Sequence, residues 1–558
     1  MKNVERYRKN PVLKYPEREW PNKEILKAPA WCSVDLRDGN QALIDPMIVE
    51  EKIEFFEMLV KLGFKEIEIG FPAASQIEYD FLRQLVDRRL IPDDVWVQVL
   101  SQCREEQIEK TFESIQGIRN AVVHIYNSTS ILQRDVVFNM KKDEITQIAV
   151  NGTRWVKERA KDFPGNIRLE YSPESFTGTE VEYALEICTA VQREWGPTKE
   201  NPLIINLPAT VELNTPNVYA DMVEWMDKHF EDRESIVLSV HPHNDRGTGI
   251  AATELAMLAG ADRVEGTLFG NGERTGNIDI LNIAYNLFMD GIDPCLNIDN
   301  INEIIEVYER LVKMPIDDRH PYAGKLVFTA FSGSHQDAIN KGVRAMKERG
   351  SKIWQVPYLT IDPADIGREY EPIVRINSQS GKGGVAFIMD TYFGFKLPKG
   401  MHKEFARVIQ AITEKQGEIS PDEIMAQFKS CYIDMKEPLH FRKLKVDDRS
   451  DTDDSEFDTH IVLTYTEHDK EASFEAVGNG PIDAVLRGLK ENLGLNVKVL
   501  DYEEHALQGG ANAQAAAYIH LLDDEEGRVT YGVGVSSNIT RASVRAIFSA
   551  INRLGLIE

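Results

Sequence analysis

SIVLSVHPHNDRGTG, residues 235–249, decides how the rest of the chain is read. Residues 235–240 are a short apolar run rich in β-branched side chains, the pattern of a buried strand. The run ends in His241-Pro242-His243. Side chains two apart on an extended chain point the same way, so both imidazoles face one point at a strand end. Pro242 has no N–H to give to a ladder and marks where the strand stops. Residues 244–247 then turn the chain toward a helix. Two imidazoles aimed together at a strand terminus make half a metal site. The competing reading is a pair of ordinary surface histidines. The chain holds only 12 His in 558 residues and sets two of them here, which favours the metal.

Working outward, β-like runs recur at 31–36, 66–70, 95–100, 121–126, 167–171, 203–207, 236–240 and 263–268. Helix-like stretches lie between them, for example at 48–62, 179–195, 218–230 and 249–260. Gly63 and Gly260 sit where helix C-caps belong. Eight strand–helix units over roughly 250 residues predict an α/β fold, a (β/α)8 TIM barrel spanning 31–300. A doubly wound sheet is the alternative. Residues 1–30, with Pro11, Pro16, Pro21 and Pro29 among charges, read as an arm, irregular or packed on a neighbouring subunit. Residues 301–440 read as a helical linker region, interrupted by polar islands at 331–337 and 378–384. The second island, Gly-rich with Lys382, is either a phosphate cradle or a helix-capping turn. Residues 446–458 read as an acidic linker. Within 441–558, strand-like 472–477 then helical 482–493 is echoed by strand-like 528–533 then helical 541–554. That echo predicts a duplicated α+β domain of βββα type with a pseudo-twofold cleft.

The bulk composition narrows the partners. Hydrophobic residues are 42% and charged residues 28%, as in a soluble globular protein, and the formal net charge is −26. Such a charge argues against nucleic acid or an anionic membrane as the main partner. The five cysteines are scattered without a CxxC pair, which fits free thiols in a reducing compartment. No apolar run reaches membrane-spanning length and the first 20 residues lack the apolar core of a signal peptide. A cytoplasmic protein is expected.

A barrel carries its chemistry at the C-terminal ends of its strands. The polar outliers gather there: residues 36–41, His124 with Tyr126 and Asn127, Glu170 with 172–175, residues 208–212, the two histidines, and 270–277. Asp38 can add a carboxylate and Asn277 a carbonyl oxygen to His241 and His243. With water this makes an N/O octahedral site for Mg²⁺, Mn²⁺ or Zn²⁺. Such a centre lets a 2-oxo acid chelate and polarises its carbonyl. Arg37 is placed to stabilise an oxyanion, unless it is a simple ion-pair partner of Asp38, and the Thr210 hydroxyl to hold a carboxylate. A metal-dependent amidohydrolase also uses HxH, but on its first strand and with further histidines on strands five and six, which offer none here.

LRDGNQ (36–41), SPESFTGTE (172–180), LPATVE (207–212), HPHNDRGTG (241–249), GNGERTGN (270–277) and SGSHQDAI (332–339) together resemble the long form of the 2-isopropylmalate synthase family, along the whole chain. Three of these blocks are shared with homocitrate and citramalate synthases and hydroxymethylglutaryl-CoA lyase. The resemblance implies condensation of acetyl-CoA with 2-oxoisovalerate to give 2-isopropylmalate and CoA, the first committed step of leucine biosynthesis. It implies Asp38, His241, His243 and Asn277 as ligands of a divalent metal, foremost Mg²⁺. Arg37, His124 and Thr210 would contact the oxo acid, with Leu100 as a wall for its side chain. Glu174 and Glu273 would serve acid–base chemistry. His335, reaching in from the helical region of a second subunit, would be the candidate base, with Tyr370 near it. A homodimer is implied. The tail resembles the family's leucine-binding regulatory domain, with Gly478, Gly480, Gly510, Ala511, Gly532 and Gly534 at its cleft. Asn512 stands where that pattern carries Asp. A sister synthase, or a leucine sensor with an inactive barrel, are the competing functions. The sensor would need a broken ligand set, and all four ligand positions are filled.

Overall fold

The computed structural model describes residues 2–8, 10–330, 333–370, 376–377, 382–416, 418–433, 435–448, 459–507 and 513–557. Packing divides the chain into two compact units. One is 1–327 with 361–369, the other 328–360 with 370–558. Among the described residues no helix is long and apolar enough to cross a membrane.

The first unit is a closed barrel of eight parallel strands in sequence order, so the barrel, not the doubly wound sheet, is the fold. Its strands are β1 (Ala30–Ser33), β2 (Glu66–Gly70), β3 (Trp96–Gln102), β4 (Asn120–Ser128), β5 (Asn166–Glu174), β6 (Leu203–Ala209), β7 (Ile236–Pro242) and β8 (Arg263–Gly266). The helices that follow them in turn are α1 (Val49–Lys61), α2 (Gln76–Asp87), α3 (Glu105–Ser114), α4 (Lys142–Ala160), α5 (Val181–Trp195), α6 (Pro216–His229), α7 (Gly249–Leu258) and α8 (Ile280–Met289). A ninth, α9 (Ile301–Val312), lies against α1. Gly63 and Gly260 follow α1 and α7 with φ of +96° and +113°, a conformation that costs glycine little and reverses the chain into the next strand.

Two strand ends differ from expectation. β1 stops at Ser33, not at residue 36. The N–H groups of Asp38 and Gly39 both close on the Val34 carbonyl, at 2.9 and 3.1 Å, and wind residues 35–39 into a wide turn. The Asp35 carboxylate holds that turn, taking the Ser33 hydroxyl at 2.8 Å and the Leu268 N–H at 3.0 Å. β8 likewise ends at Gly266, before residue 268. β5 runs on to Glu174, so residues 172–174 belong to the strand itself. The arm packs on its own barrel. The Trp20 indole donates to Asp221 at 2.9 Å, Arg18 pairs with Asp221 at 2.9 Å, and Lys23 pairs with Glu224 at 3.2 Å. Two buried carboxylates on α6 thus find their partners in residues 18–23.

Inside the barrel lies a polar layer that the aliphatic strand runs conceal. Arg263 is fully buried. Its guanidinium donates to Glu66 at 2.5 Å, to Ser239 and Glu265 at 2.8 Å each, and to the Gln98 oxygen at 2.7 Å. Four of the five N–H donors of the fork are used in this way, which is what makes a buried guanidinium tolerable.

The second unit begins with α10 (Gly333–Arg349), α11 (Lys382–Phe393), α12 (Lys399–Gln416) and α13 (Pro421–Phe428), with a two-stranded pair β9 (Ile376–Asn377) and β10 (Glu418–Ile419). The tail is the expected duplication. β11 (Leu439–Asp448), β12 (Thr459–Glu467) and β13 (Lys470–Gly478) are followed by α14 (Pro481–Leu493). β14 (Val497–Ala506), β15 (Ala515–Asp523) and β16 (Val529–Ser536) are followed by α15 (Ile539–Leu554). Leu463, Phe474, Leu489, Ile519, Phe548 and their neighbours form one core from both repeats. The expected linker starts too early. Val446, Asp447 and Asp448 are the last residues of β11, paired with Ile461, His460 and Thr459, because a ladder partner outweighs local charge. The rest of that linker, and residues 378–381 of the Gly-rich island, lie outside the described residues.

Replacing Arg263 with Met should destabilise the barrel by about 3–5 kcal/mol at neutral pH, since it strands buried carboxylates. Glu265, opposed by burial but held by Arg263, keeps a carboxyl well below its usual range. Without the guanidinium it takes up a proton more easily, so the variant's deficit should shrink as pH falls. Denaturant unfolding of both proteins at pH 5 and 7.5 measures this, and an equal deficit at both would contradict it. Gly534→Ala should unseat α15, because a Cβ there would lie 1.9 Å from the Ala542 carbonyl oxygen. Loss of the tail's thermal transition with the barrel's intact is the expected calorimetric result.

Candidate active site

A pocket of about 200 Å³ opens at the C-terminal ends of the strands. At its floor stand Asp38, His241 and His243, all buried, with one ligand atom from each within 4.8 Å of the others. β7 delivers His241 from its last turn of ladder, and His243 follows one residue past the strand. There it bridges to Asn277 in the loop after β8. The two rings lie 5.4 Å apart, tilted by 23°. Asp38 arrives from the wide turn after β1.

The hydrogen bonds show what this group is built to hold. His241 Nδ1 bonds Glu265 at 2.7 Å, which leaves Nε2 facing the pocket. Nε2 lies 2.9 Å from Asn277 Oδ1 and 3.2 Å from Asp38 Oδ2, and His243 Nε2 lies 3.6 Å from Asp38 Oδ2. His243 Nδ1 is buried with no hydrogen-bond partner among the described residues. Burial opposes the charge on His241, but the Asp38 and Glu265 carboxylates lift it to about 9. Burial and the neighbouring His241 push His243 down to about 4. Burial works against Asp38 too, yet Arg37 and the histidines hold its carboxyl well below the usual range. Two imidazoles, a carboxylate and an amide oxygen converging in a dry site fit a divalent metal, with Glu265 behind His241 setting its tautomer.

Around the floor, Arg37 Nη1 pairs with Asp38 at 2.9 Å and its Nε bonds Glu68. His124 lines the pocket, pinned by Glu68 at 2.7 Å on Nδ1 and by the Ser172 hydroxyl at 2.8 Å on Nε2. Leu100, Tyr126 and Pro208 supply a less polar wall. The Thr210 hydroxyl lines the pocket and accepts the Ser175 N–H at 3.0 Å. Glu174 is bonded by Ser128, and Glu273 at the rim accepts from Gln41 at 3.1 Å. Ten of the residues singled out from sequence therefore meet in or directly behind one cavity, Asn277 among them.

The others lie in the second unit. His335, on α10, is exposed and stacks on Tyr358 at 4.1 Å. Tyr370 has a buried hydroxyl with no hydrogen-bond partner among the described residues. Gly478 ends β13, where a Cβ would lie 2.4 Å from the Ala484 nitrogen, and Gly480 is the N-cap of α14. Gly532 and Gly534 let α15 lie directly on β16, a packing duty that needs no ligand. Gly510 and Ala511 lie outside the described residues.

Sequence reasoning missed the layer beneath the metal group: Glu68, Gln98, Glu265 and Arg263, with Asn206 beside them. The signal was present. Glu66-Ile67-Glu68-Ile69 and Arg263-Val264-Glu265 alternate charge with aliphatic residues inside strand runs, which in a barrel places charge on one face. Glu170 belongs to the same layer. Burial and the nearby Glu265 push its carboxyl well up, so it is the neutral member.

Three family models match the chain in succession. They are an HMGL-like model over residues 28–307, a model described as alpha-isopropylmalate synthase, post-catalytic domain-like, over 325–390, and a LeuA allosteric (dimerisation) domain over 418–555. A 2-isopropylmalate synthase of Clostridium acetobutylicum is 53% identical over 98% of this chain and 99% of its own length. Those of Acetoanaerobium sticklandii and Rhodospirillum rubrum are 51% and 50% identical, over 100% and 98% of this chain and 98% of each relative. With identity of this order along its whole length, the chain belongs to the 2-isopropylmalate synthase family.

Proposed function

We propose that the barrel condenses acetyl-CoA with 2-oxoisovalerate and water to give (2S)-2-isopropylmalate and CoA. One observation carries the reading: a single pocket joins the Asp38, His241 and His243 group to Arg37 and to the Leu100 and Pro208 wall. A 2-oxo acid with a branched side chain needs these three things together. Asp38, His241 and His243, with Asn277, would hold the metal, and Mg²⁺ is the proposed ion for this mixed nitrogen and oxygen set. When bound, it supplies Lewis acidity toward the oxo acid's keto group.

The chain's own residues do the rest. The Arg37 guanidinium, fixed by Glu68 and Asp38, faces the oxygen that turns from ketone to alkoxide. The Thr210 hydroxyl takes the substrate carboxylate, and Leu100 and Pro208 exclude water from the isopropyl group. A base removes a proton from the acetyl methyl, and that carbon bonds to the keto carbon. The new alkoxide takes a proton to become the tertiary hydroxyl. Water then adds to the thioester carbonyl, the C–S bond breaks, and CoA leaves as the thiol. His335, reaching the barrel of a second subunit, is the proposed base, with Tyr370 near it; Glu174 assists proton movement and Glu273 orients the rim. A thioester α-proton is weakly acidic, so positioning and enolate stabilisation must supply most of the rate.

A homocitrate synthase would need a second cation in the pocket for the distal carboxylate. Among the described residues the guanidinium groups that line it are Arg37 and Arg274, and they are already paired with Asp38 and Asp245. This favours the branched substrate over that sister reaction. For the tail we propose leucine as an inhibitor acting through the duplicated domain, and for the whole chain a cytoplasmic homodimer, in keeping with a matching model described as allosteric and dimerising.

Thiol release with acetyl-CoA and Mg²⁺ should be fastest with 2-oxoisovalerate, well ahead of pyruvate or 2-oxoglutarate, and slowed by leucine. Preference for either other acid would move the chain to a sister synthase. Chelation should abolish the activity and added Mg²⁺ restore it. His243→Ala should cut kcat/KM by at least about 100-fold while shifting Tm little, since its Nδ1 has no hydrogen-bond partner among the described residues.

A further inference from the structure

The loop after β8 is built around Asn271, and the reaction outlined above gives this residue no part. The Asn271 side-chain NH₂ donates to the Gly39 carbonyl at 3.1 Å, and Gly39 directly follows Asp38. Its own backbone carbonyl accepts the Asn277 side-chain NH₂ at 2.9 Å and the Thr267 hydroxyl at 2.7 Å. One residue therefore ties the turn that carries Asp38 to the amide of Asn277, six positions along the loop.

An amide has one oxygen end and one NH₂ end. Engaging the NH₂ end of Asn277 on Asn271 leaves Oδ1 as the atom that faces His241 Nε2, at 2.9 Å. The Asn277 side chain is buried, so water cannot compensate a flipped amide. The backbone leaves it no other place. A Cβ on Gly272 would lie 2.4 Å from the Asn277 amide nitrogen, and one on Gly276 would lie 1.9 Å from the Gly270 oxygen. The other side of the loop is stitched to β7, with Ile278 N–H on Pro242 and Asn244 N–H on Gly276, each at 3.1 Å. A Cβ on Gly39 would come 3.1 Å from the Asn271 NH₂, so that side too is closely fitted.

We propose that Asn271 is a positioning residue that holds the Asp38 turn and the Asn277 amide in one register, so that both oxygens face the histidine pair. It acts through the cation ligands and touches neither substrate nor metal. The proposal rests on the metal reading of the Asp38, His241 and His243 group. Groups that orient ligands from behind change metal affinity by about 10–100-fold when removed.

The test uses the full-length protein and Mn²⁺ as the probe. Calorimetry gives its dissociation constant for the parent, Asn271→Ala and the isosteric Asn271→Asp, which sets a carboxylate oxygen against the Gly39 carbonyl. Both variants should bind Mn²⁺ at least about 10-fold more weakly. Their lost turnover should return as Mn²⁺ is raised, which a general loss of structure would not allow. Thr267→Val, which removes the other bond to the Asn271 carbonyl, should weaken Mn²⁺ in the same direction, and Thr267→Ser should restore it. That pair decides the matter if the Asn271 variants do not fold. A parent that binds no Mn²⁺ would sink the metal reading itself. A parent that binds it, with folded variants of equal affinity, would overturn the role of Asn271 alone.

Discussion

A guanidinium sealed inside a barrel governs what stands above it. Arg263 bonds Glu265, and Glu265 bonds His241 Nδ1, so the charge at the barrel's centre fixes the ring that faces the pocket. The same fork reaches Gln98, whose amide bonds Glu68, and Glu68 holds both Arg37 and His124. Burying so many ionisable groups is costly unless each is paired and hydrogen-bonded. Here most of the charges are paired and hydrogen-bonded, with Glu170 the exception, and the network fixes three pocket side chains at once: His241, Arg37 and His124. The rigidity of the site is therefore a consequence of its electrostatics, not of aliphatic packing alone.

The rim obeys a second constraint. Arg274, from the loop after β8, bonds Asp245 after β7 at 2.7 Å and the Thr210 carbonyl after β6 at 2.6 Å. Glu212 accepts the Arg246 N–H at 2.5 Å and the Thr248 hydroxyl. Three successive loops are thus tied together along one side of the mouth. Strand ends bring the ligand residues to the right height, and loop-to-loop bonds turn them to the right angle. This division of labour lets a barrel keep its frame while its chemistry is set by loops.

The tail shows the opposite economy. Its repeats hold together through close approach of helix and strand backbones, for which Gly532 and Gly534 in β16 and Gly488 in α14 leave room. Of the glycines read from sequence as marks of a cleft, Gly532 and Gly534 thus also serve packing. A regulatory ligand would have to work on a domain whose two halves already share one core.

Much was legible beforehand because it is local. Eight apolar runs with helical stretches between them require a layered α/β fold, and their number points to a closed barrel. HPH at a strand end places two imidazoles together by the period of a strand alone. LRDG and GNGERTGN declare themselves by packing charge and glycine into short segments. What stayed hidden depends on partners distant in sequence. The early end of β1 follows from Asp35 meeting the Leu268 N–H, 233 residues on. Val446–Asp448 extend β11 because β12 pairs with them, against their own polarity. The arm's partner became known only once α6 turned its carboxylates outward to it. Above all, the charges of Glu68, Arg263 and Glu265 inside β-runs take on their meaning only once barrel closure puts them on a common interior face. The sequence by itself determined which residues alternate and which cluster. Only the tertiary structure decided which of them meet, because burial changes a charge from a solvated surface group into one that must find its counter-charge.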